Sequence, residues 1–182
     1  MRTPLAPLAL AAGLAFASGC SPNTFEVSLS GQTTVHGDAA TAGTMLTRIP
    51  AIGSFASIDF PASEEFKQNQ ATKDAVQSIK VSSLKVQVQL PGTQGFDFLD
   101  ELHFVAAAGS QEQEVAGKIG IAALGLEPPN PTLILDVDQT AELRDFLGAP
   151  SVSITARGSG RVPPQDTTLQ ATVKLRVVLK VF

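Results

Sequence analysis

The side chains in this 182-residue chain with chemistry to offer are few: two histidines, one cysteine and two groups of carboxylates. Nucleophilic hydrolysis would need a serine delivered to a histidine. The sequence has no Gly-x-Ser-x-Gly elbow, and Gly158-Ser159-Gly160 reads as part of an ordinary loop. His36 and His103 each stand alone among strand-type residues, so they read as solvated or core histidines rather than bases. Zinc fares no better, because there is no His-x-x-x-His pair and two lone imidazoles cannot close a tetrahedral site. Asp97, Asp100 and Glu101 form one acidic group; Asp136, Asp138 and Glu142 form another. Sandwich loops can gather such groups around calcium, but neither has the Asp-x-Asp-x-Asp-Gly spacing of a dedicated loop. Asp100 and Asp138 suit turns and N-caps, and Glu142 suits the first turn of a helix. The expectation is no catalytic residue, no metal and no cofactor.

The cysteine is a different matter. Arg2 gives a short positive start, residues 5–16 are rich in Ala and Leu, and Ala17, Ser18 and Gly19 lead directly to Cys20. A membrane-crossing helix needs about 20 apolar residues, so this run is too short and reads as the h-region of a secretory signal. The order Ala17-Ser18-Gly19-Cys20 resembles the lipobox of bacterial lipoproteins, with Ala17 where that family commonly has Leu. The resemblance implies removal of residues 1–19, a diacylglycerol on the Cys20 sulfur, and two or three acyl chains, enough for stable anchoring. Ser21, where an Asp would favour retention in the inner membrane, implies transfer to the outer membrane of a Gram-negative cell. As the single cysteine, Cys20 leaves no intrachain disulfide possible.

Charge narrows the partners. Thirteen basic against seventeen acidic side chains give −4, and loss of Arg2 with the signal makes the mature balance −5. That balance excludes nucleic acid and repels anionic headgroups, so attachment falls to the acyl chains. Ten Phe with no Trp or Tyr also leave few stacking platforms for bases.

The rest of the chain reads as strands. Phe25, Val27 and Leu29 alternate with polar residues in a strand that begins five residues after Cys20. Residues 37–53 read as a long loop, and 56–60 as a second strand stopped by Pro61. Ser63 is placed to cap a helix of one or two turns with Phe66 as its apolar foot. Ile79 and Val81 have opposite parity to Leu84, Val86, Val88 and Leu90, which requires a bulge or a break at Ser82-Ser83. Strands follow at 102–107, at 112–121 as a charged edge, at 132–137 and at 152–156. Between the last two, Leu143, Phe146 and Leu147 have helical spacing, with Asp138 or Thr140 as N-cap. The strongest pattern closes the chain: Leu169, Ala171, Val173, Leu175, Val177, Leu179 and Val181 alternate without a miss.

These elements predict a mainly β fold, an antiparallel two-sheet β-sandwich of about eight strands with two short helices. The domains are 1–19 (signal), 20–24 (lipidated cysteine and tether) and 25–182 (one sandwich). The run from Ile79 through Phe104, a strand, a Pro91-Gly92 turn, the Phe98-Leu99-Asp100 segment and another strand, is similar to uncharacterised bacterial β-sandwich lipoproteins; the resemblance implies no activity. The function expected is a non-enzymatic binding or structural module on the cell envelope, docking an envelope protein. The alternative is a carrier of a lipid or other apolar ligand, suggested by Phe96, Phe98, Phe104 and Phe146.

Overall fold

Period-two patterning dominates the three-dimensional arrangement. The structure is a computed structural model and describes residues 23–46 and 48–180; Cys20, the signal-like segment and Val181 lie outside the described residues. In chain order the strands are β1 (Thr24–Val35), β2 (Met45–Leu46), β3 (Val76–Leu90), β4 (Leu99–Ala108), β5 (Gln111–Ile119), β6 (Thr132–Ile134), β7 (Asp136–Val137), β8 (Ser153–Arg161) and β9 (Thr167–Leu179). They form two antiparallel sheets, one ordered β1-β9-β3-β6 and the other β2-β8-β4-β5-β7. The sandwich expected from the sequence is the fold observed.

β9 holds the first sheet together. It pairs with β1 from Thr24↔Val178 to Val35↔Thr167 without a shift, and with β3 along its other edge. Its alternation puts Leu169, Ala171, Val173, Leu175 and Val177 in the core while Lys174 and Arg176 meet water. β3 accommodates its change of parity by a register shift between Val81 and Ser83, so Ile79 and Val81 are buried on one side of the bulge and Leu84, Val86 and Val88 on the other. A further shift between Val88 and Leu90 turns Leu90 outward, against the expectation that it continues the buried face; it is 64% exposed. The helix α1 (Glu64–Gln68) starts where expected, with Ser63 Oγ accepting from the Phe66 N–H at 3.3 Å. Phe66 packs edge-on to Phe25 (5.4 Å between centroids) and stacked on Phe60 (6.1 Å), fastening the helix to β1.

Tertiary contacts override local pattern in five places. Residues 56–60 are not a strand: Ile58 makes an isolated bridge to Val152 after a 3-10 turn, Gly53–Phe55. Residues 132–137 alternate as one strand would, yet β6 pairs with β3 and β7 with β5, so the chain crosses between sheets at Leu135, whose N–H donates to the Leu84 carbonyl. The expected α-helix over 140–147 is a 3-10 turn, Arg144–Gly148, because the Leu143 N–H is taken by the Ile79 carbonyl at 2.8 Å and the Glu142 carboxylate by the Ile79 N–H and Ser78 Oγ. The strand expected at 112–121 ends at Ile119, with Ile121 in a 3-10 turn, and it is not an edge: two-residue β7 covers part of it. Gly158-Ser159-Gly160 lies inside β8, not in a loop. A Cβ on Gly160 would sit 2.2 Å from the Phe98 carbonyl oxygen, so these glycines let β8 close onto β4.

Candidate functional site

The sequence placed function at Cys20, which lies outside the described residues. The two acidic groups do not converge. Asp97 accepts from Gln94 Nε2 at 2.8 Å, Asp100 is exposed at the register shift that opens β4, and Glu101 turns onto the outer sheet face. Asp136 pairs with Lys118, Glu142 clamps Ser78 and Ile79, and Asp138 caps its own turn. The Thr140 hydroxyl, then the Thr140 N–H, hold the Asp138 carboxyl below its ordinary range. Asp166 is held low in the same way, first by the Gly37 N–H at 3.0 Å and then by His36, whose Nδ1 is 3.4 Å away. His36 is otherwise exposed to water.

His103 belongs to a constellation that the sequence reading missed. Alternation on β4 sends Glu101, His103 and Val105 to the outer face of the five-stranded sheet, while Leu102 and Phe104 enter the core. Antiparallel pairing then sets Ser159 and Arg157 of β8 on one flank and Glu114 of β5 on the other. His103 Nδ1 lies 2.9 Å from Glu114 Oε1, and its Nε2 lies 3.9 Å from Glu101 Oε2. Ser159 Oγ donates to Glu101 Oε1 at 3.0 Å, and Arg157 Nη2 donates to both oxygens of Glu112 at 2.8 and 2.9 Å. Gly117 makes room: a Cβ there would lie 2.7 Å from His103 Nδ1 and 2.8 Å from Glu114 Oε1. Residues 48–51 rise beside β8 as a wall, and the space enclosed is an open groove of about 1070 Å³.

The Ser159 hydroxyl donates to the Glu101 carboxylate and not to the His103 imidazole. The imidazole lies between two carboxylates, an arrangement that fixes a polar surface. Positions 101, 103, 157 and 159 share a face only because β4 and β8 pair in this register. The signal available in the sequence was the same-parity spacing of Glu101 with His103 and of Arg157 with Ser159.

Phe96, Phe98, Phe104 and Phe146, the side chains behind the carrier alternative, are at most 5% exposed and belong to the core shared by the two sheets. Among the described residues no helix is long and apolar enough to cross a membrane.

No family model matches the chain, and no curated protein matches it. Among solved structures, the chain is similar to the BFDV capsid protein in a 60-mer (12% identity, 88% of this chain and 95% of that chain, TM-score 0.39). It is also similar to the decameric BFDV capsid protein (11% identity, 87% and 100%, TM-score 0.41) and to a Cocksfoot mottle virus structure (10% identity, 100% and 97%, TM-score 0.21).

Proposed function

We propose that this chain is a lipid-anchored, non-enzymatic binding module of the bacterial cell envelope, held at the outer membrane by acyl chains on Cys20. The observation that carries the reading is the order Ala17-Ser18-Gly19-Cys20 ending four residues before β1 begins at Thr24. A tether this short, at about 3.3 Å per extended residue, keeps the sandwich within about 15 Å of its anchor, where its loops and grooves meet other envelope proteins. The polar groove over β4, β5 and β8 is the face best suited to binding, since its side chains are prearranged by one another. The carrier alternative would need the sheets to part around the buried phenylalanines.

The test is to grow Gram-negative cells with a fatty acid bearing a clickable tag. The wild-type chain takes up the label, Cys20→Ser does not, and a chain whose residues 1–20 are replaced by a plain cleavable export signal leaves the membrane in low and high salt alike. Each buried acyl methylene contributes about 0.8 kcal/mol, so loss of the chains removes the attachment outright. An unlabelled wild-type protein would refute the anchor; a leader-replaced protein that still pelleted with protein-free lipid vesicles would favour the carrier.

A further inference from the structure

We propose that the outer face of the four-stranded sheet binds an acidic polysaccharide of the envelope. Lys85, Lys174 and Arg176 take its carboxylates, and a band of uncharged polar side chains beside them takes its hydroxyls. The proposal rests on the reading of the chain as an envelope binding module; it adds a second surface to the groove and gives that surface a ligand class.

Alternation and register collect the cations. The even-numbered side chains of β9 face water, and pairing sets Glu26 of β1 beside Arg176 on one flank and Lys80 of β3 beside it on the other. Lys85 of β3 pairs with Thr172, one step along from Lys174. On this face, among the described residues, Lys80, Lys85, Lys174 and Arg176 stand against the single acid Glu26, in a chain whose total balance is −4. Lys80 is spent at the rim, where its Nζ donates to the Gln139 carbonyl at 2.9 Å and its charge acts on Asp138. Glu26 reaches Lys174 only at 3.7 Å and accepts from Ser82 Oγ at 3.4 Å. Lys85 and Arg176 are exposed and have no ion pair or side-chain hydrogen bond among the described residues. Lys174 and Arg176 stand about 7 Å apart along one strand, and Lys85 lies diagonally about 7–8 Å from Lys174, so the three form a row of cations.

The rest of the face selects the kind of anion. Next to the cations, Gln32, Gln170 and Gln87 form one rank across β1, β9 and β3. Hydroxyl pairs flank that rank, Ser30 with Thr172 and Thr34 with Thr168, each at 3.2 Å. Gln89 Nε2 donates to the amide oxygens of Gln87 and Gln170, which leaves the Gln170 amide N–H groups and the whole Gln32 amide to a ligand. The apolar side chains here are Ile134 at the β6 edge and half-buried Val178, set apart from each other. A protein interface is built around a buried apolar centre, and nucleobases need aromatic rings to stack on; this face has neither. A bilayer would meet the acidic rim at Asp138 and Glu142 together with the face, under the net negative charge of the chain. A single polymer strand can lie along the face alone. A chain of sugar acids brings carboxylates to the row of cations and hydroxyls, both donors and acceptors, to the amide band.

The experiment titrates the full chain in mild detergent with a galacturonic acid decamer, followed by calorimetry and amide NMR shifts. Binding saturates by millimolar sugar, and the shifts centre on Lys85, Gln170, Thr172, Lys174 and Arg176. A neutral glucose decamer binds at least ~10-fold more weakly, and Lys174→Glu with Arg176→Glu weakens the acidic sugar at least ~10-fold. Gln32→Ala with Gln170→Ala leaves every charge in place and weakens it at least ~3-fold. All of these positions face water, so the variants keep the fold; should the double reversal fail to fold, Lys85→Gln with Arg176→Gln decides. The proposal is overturned if millimolar sugar acid does not bind, if the shifts map to Glu101 and His103 in the groove, or if charge reversal has no effect. A glutamate decamer that binds as tightly would assign the face to an acidic protein segment. Capture of the leader-replaced chain by anionic vesicles, lost on charge reversal, would assign it to a membrane, and concentration-dependent shifts of the same amides in the free chain to a second copy; each of these overturns the proposal too. Failure here with Cys20 acylated leaves the anchor reading standing, and sugar binding without acylation leaves the face and removes the anchor.

Discussion

Val177 and Arg176 are chain neighbours on β9 with opposite surroundings, one fully buried and the other in water. Val177→Asp would bury an unpaired carboxylate in the core and costs at least ~3 kcal/mol, whereas Arg176→Glu costs under ~1 kcal/mol. Urea midpoints measure both, and equal effects would refute the assigned face. Glycine supplies a second contrast at this scale. A Cβ on Gly160 meets three backbone atoms, the Phe98 carbonyl oxygen just before β4 at 2.2 Å and two of Leu99 and Asp100 in β4, while one on Gly92 meets nothing within 4 Å. Gly160→Ala should therefore cost about 1–3 kcal/mol as the strands are forced apart, and Gly92→Ala should stay within about 0.5 kcal/mol. The sequence reading took the glycines around Ser159 for a loop because glycine usually marks one. Their reason lies across the sheet, in a carbonyl of another strand, where local pattern has no view.

Among the elements, those patterned on one face over many residues were legible: β1, β9, the two halves of β3 and the capped start of α1. The irregularity at Ser82-Ser83 was legible too, since a change of parity needs a bulge or a break, and the register shift shows it to be a bulge. It yields a sharp deletion test. Removing Ser82 restores an unbroken inward series from Ile79 through Val81 to Leu84 and Val86, so the variant should fold with stability within about 2 kcal/mol of the parent. Removing Lys80 instead drives Val81 out of the core or a serine into it and should cost at least ~2 kcal/mol in the same urea titration. The segments that misled, 132–137 and 140–147, are those whose backbone groups are taken by β3, at Leu84 and Ile79. The groove was invisible for a related reason, since it needs the pairing of three strands before Glu101, His103, Glu114 and Ser159 meet. The loop ties carry a pH dependence of their own. Asp138 and Asp166 are held below their ordinary value of 3.8 in the fold, so their contribution is present above that value and is lost as pH falls through the lower folded value. Asp138→Asn with Asp166→Asn keeps the acceptor oxygens but removes the titration, and the fall in urea midpoint between pH 5 and 3 should become shallower. An unchanged slope would mean that other carboxylates carry the acid sensitivity.

For the whole molecule, one β-sandwich with a closed phenylalanine core presents a polar groove on one sheet and follows a cysteine by four residues. The acidic balance of the chain, thirteen basic against seventeen acidic side chains, gives it no attraction to anionic lipid, which suits the proposed attachment through Cys20 and leaves recognition, in that proposal, to the folded surface. Removing the acyl chains should change where the protein resides without changing how it folds: the leader-replaced and wild-type chains should share one thermal midpoint within about 2 °C, since among the described residues the core is built from Val27 onward. The central claim is tested most directly by the intact mass and N-terminal sequence of the mature protein isolated from membranes of a Gram-negative host. The account predicts a chain that begins at Cys20 and is heavier than the polypeptide by a diacylglycerol, with or without a third acyl chain. A chain that still carries residues 1–19, or one with a free Cys20 thiol and the bare polypeptide mass, would contradict it.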